Sequence, residues 1–298
     1  MLTAQHLMKS EADMAIRIIT DSTSDFTRAE AAQLGLEIVP LKTRFGDEEY
    51  IDGVTISPKE FYEKLIEGDV LPTTSQPSPS EFEEVYDRVL GPEDEAVVIT
   101  ISAELSGTCQ SALIAAEKYE GRVYVVDSRS ASIGTQILVR RALELAPGAK
   151  GAAELARRLT REREHVCVIA LLDTLEYLKR GGRISPAVAF AGGVLAIKPV
   201  VSIQDGAVQL VGRARGSKNG NNLLSEFIKK RGGVDFSLPH TLGYTGLSDA
   251  LLQKYVHDSA HLWTEHAESL PVCLIGSVIG SHGGPGAVAV AFFRRGDL

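Results

Sequence analysis

A run of hydroxyl side chains on a proline-rich loop is the first feature of this sequence that could bind a ligand. Residues 71–80 read LPTTSQPSPS and separate two predicted helices, so Thr73, Thr74 and Ser75 stand together on a stiff segment. One interpretation is structural, because serine, threonine and proline form turns, and Pro79 before Glu81 resembles a helix start. The other interpretation is that the hydroxyls bind a small polar or anionic ligand. The loop alone does not decide between them.

Three further polar loops follow predicted strands. Asp21 and Ser22 come after IRIIT, the segment LSGT at 105–108 comes after AVVITIS, and Asp127 and Ser128 end RVYVVDS. The carboxyl ends of parallel strands meet at one edge of a sheet, where ligands commonly bind. The LSGT segment also opens a predicted helix, and the free N–H groups of a helix N-terminus bind anions. We therefore expect these loops and the hydroxyl-rich loop to share one edge.

The elements that carry these loops alternate between strand and helix. Over residues 15–163 this alternation predicts an α/β domain with a mostly parallel sheet flanked by helices. Within it, IVPLKTRF is predicted to be a single strand. Residues 164–298 predict a second domain of α+β type, with a hairpin through Asp205 and Gly206 and a strand at VCLIGSVIG. Residues 1–14 show no strand or helix pattern and are interpreted as a disordered leader.

Composition narrows the class of function. The 298 residues are 44% hydrophobic and carry a formal net charge of -8, which favours a soluble protein with a large core and argues against a nucleic-acid surface. The three cysteines have no metal-ligand spacing and are predicted to be buried, unpaired thiols. Because the sequence has no long apolar run and its start lacks a signal-peptide pattern, we expect a cytoplasmic protein without a membrane span. No metal or cofactor is expected.

Two other kinds of function use the same loops. A hydrolase would take Ser106 as nucleophile, His282 as base and Asp21 or Asp127 to orient the histidine. Ser106 stands in LSGT, however, and a G-x-S-x-G elbow is typical of many serine hydrolases. A phosphate-binding module is the second alternative, because hydroxyl and amide groups also bind phosphate.

Six segments together resemble the DegV family. They are IITDSTSDF, TSQPSPSEF, ISAELSGTCQSA, VVDS, LEYLKRGGRIS and SHGGPGAVAV, in that order over nearly all of the chain after residue 15. The resemblance implies a two-domain α/β protein that encloses one long-chain fatty acid between its domains. It also implies that the protein is a carrier and not an enzyme. In FakB-type members, the bound acid is presented to a separate fatty acid kinase that makes acyl phosphate for phospholipid synthesis.

The resemblance also implies roles for individual residues. The family's carboxyl-binding threonine corresponds to Thr74, its binding serine to Ser106 beside Gly107, and its histidine to His282. Gly283 stands where a threonine is usual. The predicted supporting residues are Thr73, Ser75, Ser22, Asp127 and Ser128.

The same resemblance predicts a basic surface for the kinase. The basic residue with which the family faces its kinase corresponds to Arg215, although Gly216 replaces the threonine that usually follows it. Arg213 and Arg183 are predicted to belong to the same docking surface.

The physical chemistry of a fatty acid is compatible with these assignments. About 15 buried methylenes at about 0.8 kcal/mol each provide roughly 12 kcal/mol of gross driving force, so the tail can supply the affinity. The carboxylate then needs replacements for its water, which the hydroxyls of Thr74 and Ser106 and the N–H groups at the Gly107 helix start can provide without a lysine or arginine. The apolar segment PAVAFAGGVLAIKPVV at 186–201 is a candidate wall for the tail, with ordinary core packing as the alternative.

Overall fold

The computed structural model describes residues 15–185, 197–263 and 270–296. The predicted leader at 1–14 lies outside the described residues, as do residues 186–196 of the candidate apolar wall. Among the described residues, the helices are α1 Arg28–Leu34, α2 Pro58–Glu67, α3 Pro79–Val89, α4 Thr108–Ala116, α5 Ile133–Leu145, α6 Ala152–Glu162, α7 Glu176–Arg180, α8 Gly216–Lys230, α9 Ala250–Asp258, α10 Ala260–Trp263 and α11 Ser277–Gly283.

The described strands form three sheets. A four-stranded parallel sheet has the order β2, β1, β6, β7, and a six-stranded sheet has the order β10, β9, β8, β13, β11, β12. A small antiparallel sheet has the order β4, β3, β5. The strands are β1 Ile16–Asp21, β2 Glu37–Val39, β3 Lys42–Phe45, β4 Glu48–Ile51, β5 Thr73–Ser75, β6 Glu95–Thr100, β7 Val123–Asp127, β8 Val166–Leu171, β9 Ile197–Gln204, β10 Ala207–Arg215, β11 His240–Tyr244, β12 Val272–Leu274 and β13 Val288–Phe293.

The predicted fold class is confirmed, with a parallel sheet between helices and a second, mostly antiparallel sheet. Neighbouring strands of the six-stranded sheet pair antiparallel except β11 and β12, which are parallel. The predicted hairpin joins β9 to β10, with both Asp205 and Gly206 at positive φ, as a two-residue hairpin turn requires. The domain boundary between residues 163 and 164 stays a prediction; β8, the first strand of the six-stranded sheet, begins at Val166.

Helix starts follow local side-chain chemistry. Ser57 caps α2 and Ser78 caps α3, each through a reciprocal pair of hydrogen bonds with the glutamate three residues later. Proline occupies the first turn of both helices, where its missing N–H costs nothing. The Pro79 signal in the sequence therefore does mark a helix start, immediately after the hydroxyl-rich loop.

Helix α5 lies between the two large sheets and forms the centre of the structure. Its buried Ile137 and Leu138 belong to one core with Val97 of the parallel sheet and with Val168 and Ala291 of the second sheet. The opposite face of the second sheet packs on α8, α9 and α10, which bury Trp263 and Tyr255. Alternate residues of β8 and β13 thus enter two different cores, as the period of a strand requires.

Three sequence predictions were wrong in detail. IVPLKTRF is two strands in different sheets, because Pro40 lacks an N–H and β3 turns away to pair with β4 and β5. In VCLIGSVIG only the first part is a strand, and the second part begins α11. The segment Thr73–Ser75, interpreted as loop, is a short strand whose Thr74 lies opposite Thr43 of β3.

The packing of α5 on β8 can be tested at Gly134. A Cβ added there would lie 2.3 Å from Cγ2 of Val168 and 2.1 Å from Oγ of Ser130. Overpacking costs about 1 to 3 kcal/mol, and contacts this short belong to the upper part of that range, about 2 to 3 kcal/mol. The change from glycine to alanine also gains about 1 kcal/mol of helix propensity, which offsets part of this cost. We expect Gly134→Ala to lower the free energy of unfolding by about 1 to 2 kcal/mol, measured by urea denaturation.

The matched control is Gly148→Ala, because a Cβ at Gly148 meets no atom within 4 Å. Both substitutions restrict the unfolded chain in the same way, so their difference reports the folded state. Equal stability of the two variants would contradict close packing of α5 on β8.

Candidate functional site

A cavity of about 380 Å³ lies between the two large sheets, beside α5. Its walls are mostly aliphatic and come from both parts of the fold, including Ile101, Ile133, Val168, Val201, Ile275 and Ala289. Val201 is the described residue of the candidate wall at 186–201 that lines it. The size falls within the range of about 300 to 1,000 Å³ that is common for small-molecule sites.

Polar side chains gather in one part of the cavity wall, beginning with Thr74 and His282. Thr74 lies on β5 and His282 near the end of α11, and 2.9 Å separates Thr74 Oγ1 from His282 Nε2. This hydrogen bond joins residues 208 positions apart in the chain. The bond therefore couples the small N-terminal sheet to a C-terminal helix at the cavity.

Ser106 is the second cavity-lining hydroxyl, at the turn that leads into α4. Its Oγ accepts a hydrogen bond from the backbone N–H of Thr108 at 3.3 Å and lies 2.9 Å from the buried Thr108 hydroxyl. If the Thr108 hydroxyl also donates to Ser106, the Ser106 proton is free to point into the cavity. Gly107 is the residue before the first turn of α4, and the Gln76 amide covers it so closely that a Cβ would lie 2.2 Å from Gln76 Oε1.

His282 is neutral near pH 7. Burial and the nearby Arg183 guanidinium lower the pKa of His282 to about 4. Its Nδ1 has no hydrogen-bond partner among the described residues and faces Gly181, where a Cβ would lie 2.1 Å away. Glycine at 181 is therefore what lets the end of α7 pack against the imidazole.

Arg183 lies in the cavity wall instead of on an outer docking surface. Its Nε donates to the Leu105 carbonyl at 3.0 Å and its Nη1 donates to the Gly181 carbonyl at 2.5 Å. No carboxylate in the described part of the chain lies within ion-pair distance of it. Its charge is thus held beside the polar part of the cavity by neutral carbonyl groups.

The structure brings most of the main predicted residues together. Thr74, Ser75, Ser106 and His282 line the cavity, while Thr73 is exposed and does not. Arg213 and Arg215 are exposed on β10.

Three predicted supporting residues have other partners. Ser22 accepts a hydrogen bond from the Leu41 N–H, and Asp127 accepts from the N–H groups of Ala103 and Arg129. Ser128 donates to the Ser130 carbonyl. These side chains stabilise loops at the carboxyl edge of the parallel sheet, and they do not line the cavity.

The residues of the hydrolase alternative do not form a catalytic triad. The polar partner of His282 is Thr74, and that of Ser106 is Thr108. Asp21 instead accepts hydrogen bonds from Thr23 and from the Ile101 N–H. Nucleophile, base and orienting carboxylate are therefore not assembled in the way that acyl transfer needs.

Sequence reasoning missed four polar residues of the cavity wall, which are Gln76, Ser132, Ser202 and Thr245. Gln76 lines the cavity and donates to Ser111 at 3.2 Å, although it stands inside the TSQP segment that drew attention to Thr74. Ser132 lines the cavity from the start of α5 with a φ of 54°. The sequence signals a non-glycine residue of this conformation only weakly, because such residues are uncommon.

Comparison with known proteins decides the family. The sequence profile for uncharacterised proteins of the DegV family matches residues 15–295. The chain belongs to the DegV family. A DegV domain-containing protein of Deinococcus radiodurans is 37% identical over 282 residues, which cover 93% of this chain and 98% of that protein.

Two solved DegV structures share the fold. A DegV family protein from Thermus thermophilus, described for its fatty acid binding, is 37% identical with a TM-score of 0.81 and covers 94% of this chain and 100% of its own. DegV of Bacillus subtilis, described as a fatty acid binding protein, is 25% identical with a TM-score of 0.79 and covers 95% of this chain and 100% of its own.

Neither a metal site nor a membrane helix is found in the described part of this DegV protein. Over residues 15–185, 197–263 and 270–296, no group of three or more His, Cys, Asp or Glu side chains could hold a metal ion. Within the same residues, no helix combines the length and apolar character needed to cross a bilayer.

Buried aspartates hold α11, and with it His282, against the N-terminal part of the chain. Asp25 accepts hydrogen bonds from Ser132 Oγ at 2.5 Å and from Gly276 N at 2.8 Å. Asp52 accepts from Ser277 Oγ at 2.6 Å and from Ser277 N at 3.2 Å. Gly276 and Ser277 begin α11, so these carboxyls fix its start.

Burial changes the pKa values of Asp25 and Asp52, and also that of buried Asp21. Desolvation raises the pKa of Asp25 from 3.8 to about 8 and that of Asp21 from 3.8 to about 6, and it also raises the pKa of Asp52. Their donors, such as Ser132 for Asp25, oppose the shift without cancelling it. The folded protein therefore binds more protons at this cluster than the unfolded chain does.

We predict that the free energy of unfolding decreases as the pH rises through the pKa values of these aspartates. The contribution of the cluster to the free energy of unfolding is complete below pH 3.8, the ordinary pKa of an aspartate. It is lost as the pH rises through the folded pKa values, about 6 for Asp21 and about 8 for Asp25. Asp25→Asn keeps the shape but cannot titrate, so its melting temperature should fall less between pH 6 and 8 than that of the wild type. Thermal melts across this range are the measurement, with exposed Asp69→Asn as control. Parallel profiles for wild type and Asp25→Asn would contradict the prediction.

Proposed function

We propose that this DegV protein binds one long-chain fatty acid in the cavity, with the carboxylate bound by the hydroxyl groups of Thr74 and Ser106 and with His282 orienting Thr74. The observation that carries the proposal is a pair of hydroxyl groups, backed by further polar groups, in the wall of an otherwise aliphatic cavity. Fatty acid binding by the related proteins from Thermus thermophilus and Bacillus subtilis supports it.

Hydrogen-bond direction suits a carboxylate, which accepts only. For the Thr74 hydroxyl to donate to a carboxylate oxygen, it must accept from the Nε2–H of His282. A neutral histidine with its proton on Nε2 does this, and the lowered pKa of His282 keeps the ring neutral at pH 7. Ser106 already accepts from Thr108 N and can donate its proton in the same way. Each hydroxyl then replaces a water that the carboxylate loses on burial.

Arg183 would compensate the negative charge of the carboxylate. Its guanidinium lies in the same cavity wall and is held by two backbone carbonyls. Sequence reasoning required no cation near the carboxylate, so this residue adds an electrostatic contribution that the hydroxyls alone do not provide.

The acyl tail would extend along the aliphatic walls that α5, β8 and β9 supply. Burying about 15 methylenes provides roughly 12 kcal/mol of gross driving force, against which association entropy must be set. Residues of both sheets would contact the tail, as expected for an enclosed ligand.

We also propose that the protein is a cytoplasmic carrier without catalytic activity or cofactor, and that it presents the bound acid to a fatty acid kinase for acyl-phosphate formation. The support is the family resemblance together with Arg213 and Arg215, which are exposed side by side on one face of the edge strand β10. An exposed basic pair of this kind suits an acidic partner surface. A Ser/His hydrolase and a phosphate-binding function of this cavity are less favoured by its aliphatic walls and by the separate partners of Ser106 and His282.

Removing the two hydroxyls tests the binding site. We expect Thr74→Val with Ser106→Ala to keep the fold and to weaken fatty acid binding by at least about 1 to 3 kcal/mol, because that is the cost of one buried polar group left without a partner and a charged group costs more. Titration of delipidated protein with a fluorescent fatty acid measures the dissociation constant.

Thr73→Val is the matched control, because Thr73 is an exposed neighbour that does not line the cavity. Its affinity should equal that of the wild type. Unchanged affinity in the Thr74→Val/Ser106→Ala protein would show that the carboxylate binds elsewhere.

A substitution at Arg215 tests delivery of the fatty acid to the kinase separately from fatty acid binding. Because its side chain is exposed and does not line the cavity, we expect Arg215→Ala to retain the lipid. Rim charges act mainly on encounter rate and salt sensitivity, so acyl-phosphate formation with a cognate kinase should fall severalfold. Lipid occupancy and kinase turnover are measured on one preparation, with exposed Arg157→Ala as control. A loss of lipid would place Arg215 in the ligand site, and unchanged turnover would remove it from the docking surface.

A further inference from the structure

A second cavity, of about 260 Å³, lies where the two parts of the chain meet at the β9–β10 hairpin. Four arginines line it: Arg129 and Arg163 come from the N-terminal part, and Arg231 and Arg294 follow α8 and β13. We call it the arginine pocket. Ser202 and Ile203 of β9 line both this pocket and the aliphatic cavity, so one strand separates the two.

The arginine pocket has an excess of positive charge. Its four arginines face two carboxylates, Glu164 and Asp205. Arg129 reaches Glu164 at 3.3 Å and Asp205 at 3.4 Å, but the Asp205 side chain is 92% exposed and that of Glu164 51% exposed. Ion pairs this exposed are weak and easily exchanged. An excess of two positive charges therefore persists in a chain whose net charge is -8.

Arg231 and Arg294 supply that excess. Neither guanidinium has a carboxylate within ion-pair distance among the described residues, and Arg231 stacks 5.0 Å from the Phe227 ring centre. Buried Cys167, on β8 of the sheet, also lines the pocket. Desolvation raises the pKa of its thiol despite the opposing effect of both arginines. The thiol is thus neutral and does not balance the charge.

We propose that the arginine pocket binds a phosphate group, either as inorganic phosphate or as the phosphate of a small monoester. Guanidinium groups form paired hydrogen bonds with phosphate oxygens, and four arginines line this space, which is of suitable size. Arg163 is also held by Glu164 at 3.3 Å and by the Asp127 carbonyl at 2.6 Å, so Arg231 and Arg294 are the freer donors. A fatty acid does not fit these walls, because charged and polar side chains surround the pocket. The site is separate from the proposed lipid site and does not depend on it.

Binding should also stabilise the protein, since the phosphate would join residues of both parts of the chain. At constant ionic strength, set with chloride, added phosphate should raise the melting temperature of the wild type by mass action. The variant Arg231→Gln/Arg294→Gln removes two donors, and calorimetry should show affinity for phosphate reduced by at least about tenfold. Adenosine monophosphate in a parallel titration distinguishes a monoester from the free ion.

Arg28→Gln/Arg157→Gln is the charge-matched control, because both side chains are exposed and neither lines the pocket. It should bind as the wild type does. The single variant Arg294→Gln keeps the Arg231 stack intact if the double variant folds poorly, and it should also bind more weakly. Binding of either probe by the wild type, lost in the pocket variants only, supports the proposal. Binding of neither probe, or equal loss in the control, overturns it.

Discussion

The hydrogen bond between Thr74 and His282 is the interaction on which the site depends. It connects a three-residue strand near the start of the chain to the last helix before β13, and both partners line the cavity. A neutral imidazole is needed for the arrangement, because an imidazolium in this environment would be desolvated and would face Arg183. The close approach of Gly181 and the aspartate bonds at the start of α11 keep the ring in place.

The proposed ligand combines an apolar tail with a charged group, and the scaffold offers a different environment for each. Helix α5 packs on both large sheets, and the cavity beside it has mostly aliphatic walls. Polar groups enter it from loops at the carboxyl edge of the parallel sheet, from β5 and from α11. Under the proposed binding, the carboxylate would be buried next to donors, and the hydrocarbon would contact aliphatic residues that offer no competing hydrogen bonds. The charged arginine pocket lies on the other side of β9, so the two environments do not mix.

Much of the fold could be predicted from the sequence, because local signals set it. Capping residues mark α2 and α3, Gly35 ends α1 at a positive φ, and Asp205 with Gly206 makes the hairpin turn. The wrong predictions concern segments whose structure depends on pairing with strands far away in the sequence. Pro40 is a local signal that a strand is interrupted, but nothing local shows that β3 joins another sheet or that Thr74 pairs with Thr43.

The candidate site shows the same division. Thr74, Ser106 and His282 were predicted from family motifs, and the structure places all three on one cavity. Ser22, Asp127 and Ser128 are at the expected edge, but their side chains bond to nearby loops. Arg183 and Ser132 enter the cavity through the packing of α7 and α5, which a single sequence does not specify. The aspartates around α11 come from segments more than 200 residues away from it, so their burial was also beyond reach.

Native mass spectrometry of the protein as purified from cells, followed by extraction of the released ligand, tests the central claim most directly. We expect one long-chain fatty acid bound per chain. A protein that carries no acyl chain, and that gains none when fatty acid is supplied to the cells, would contradict it.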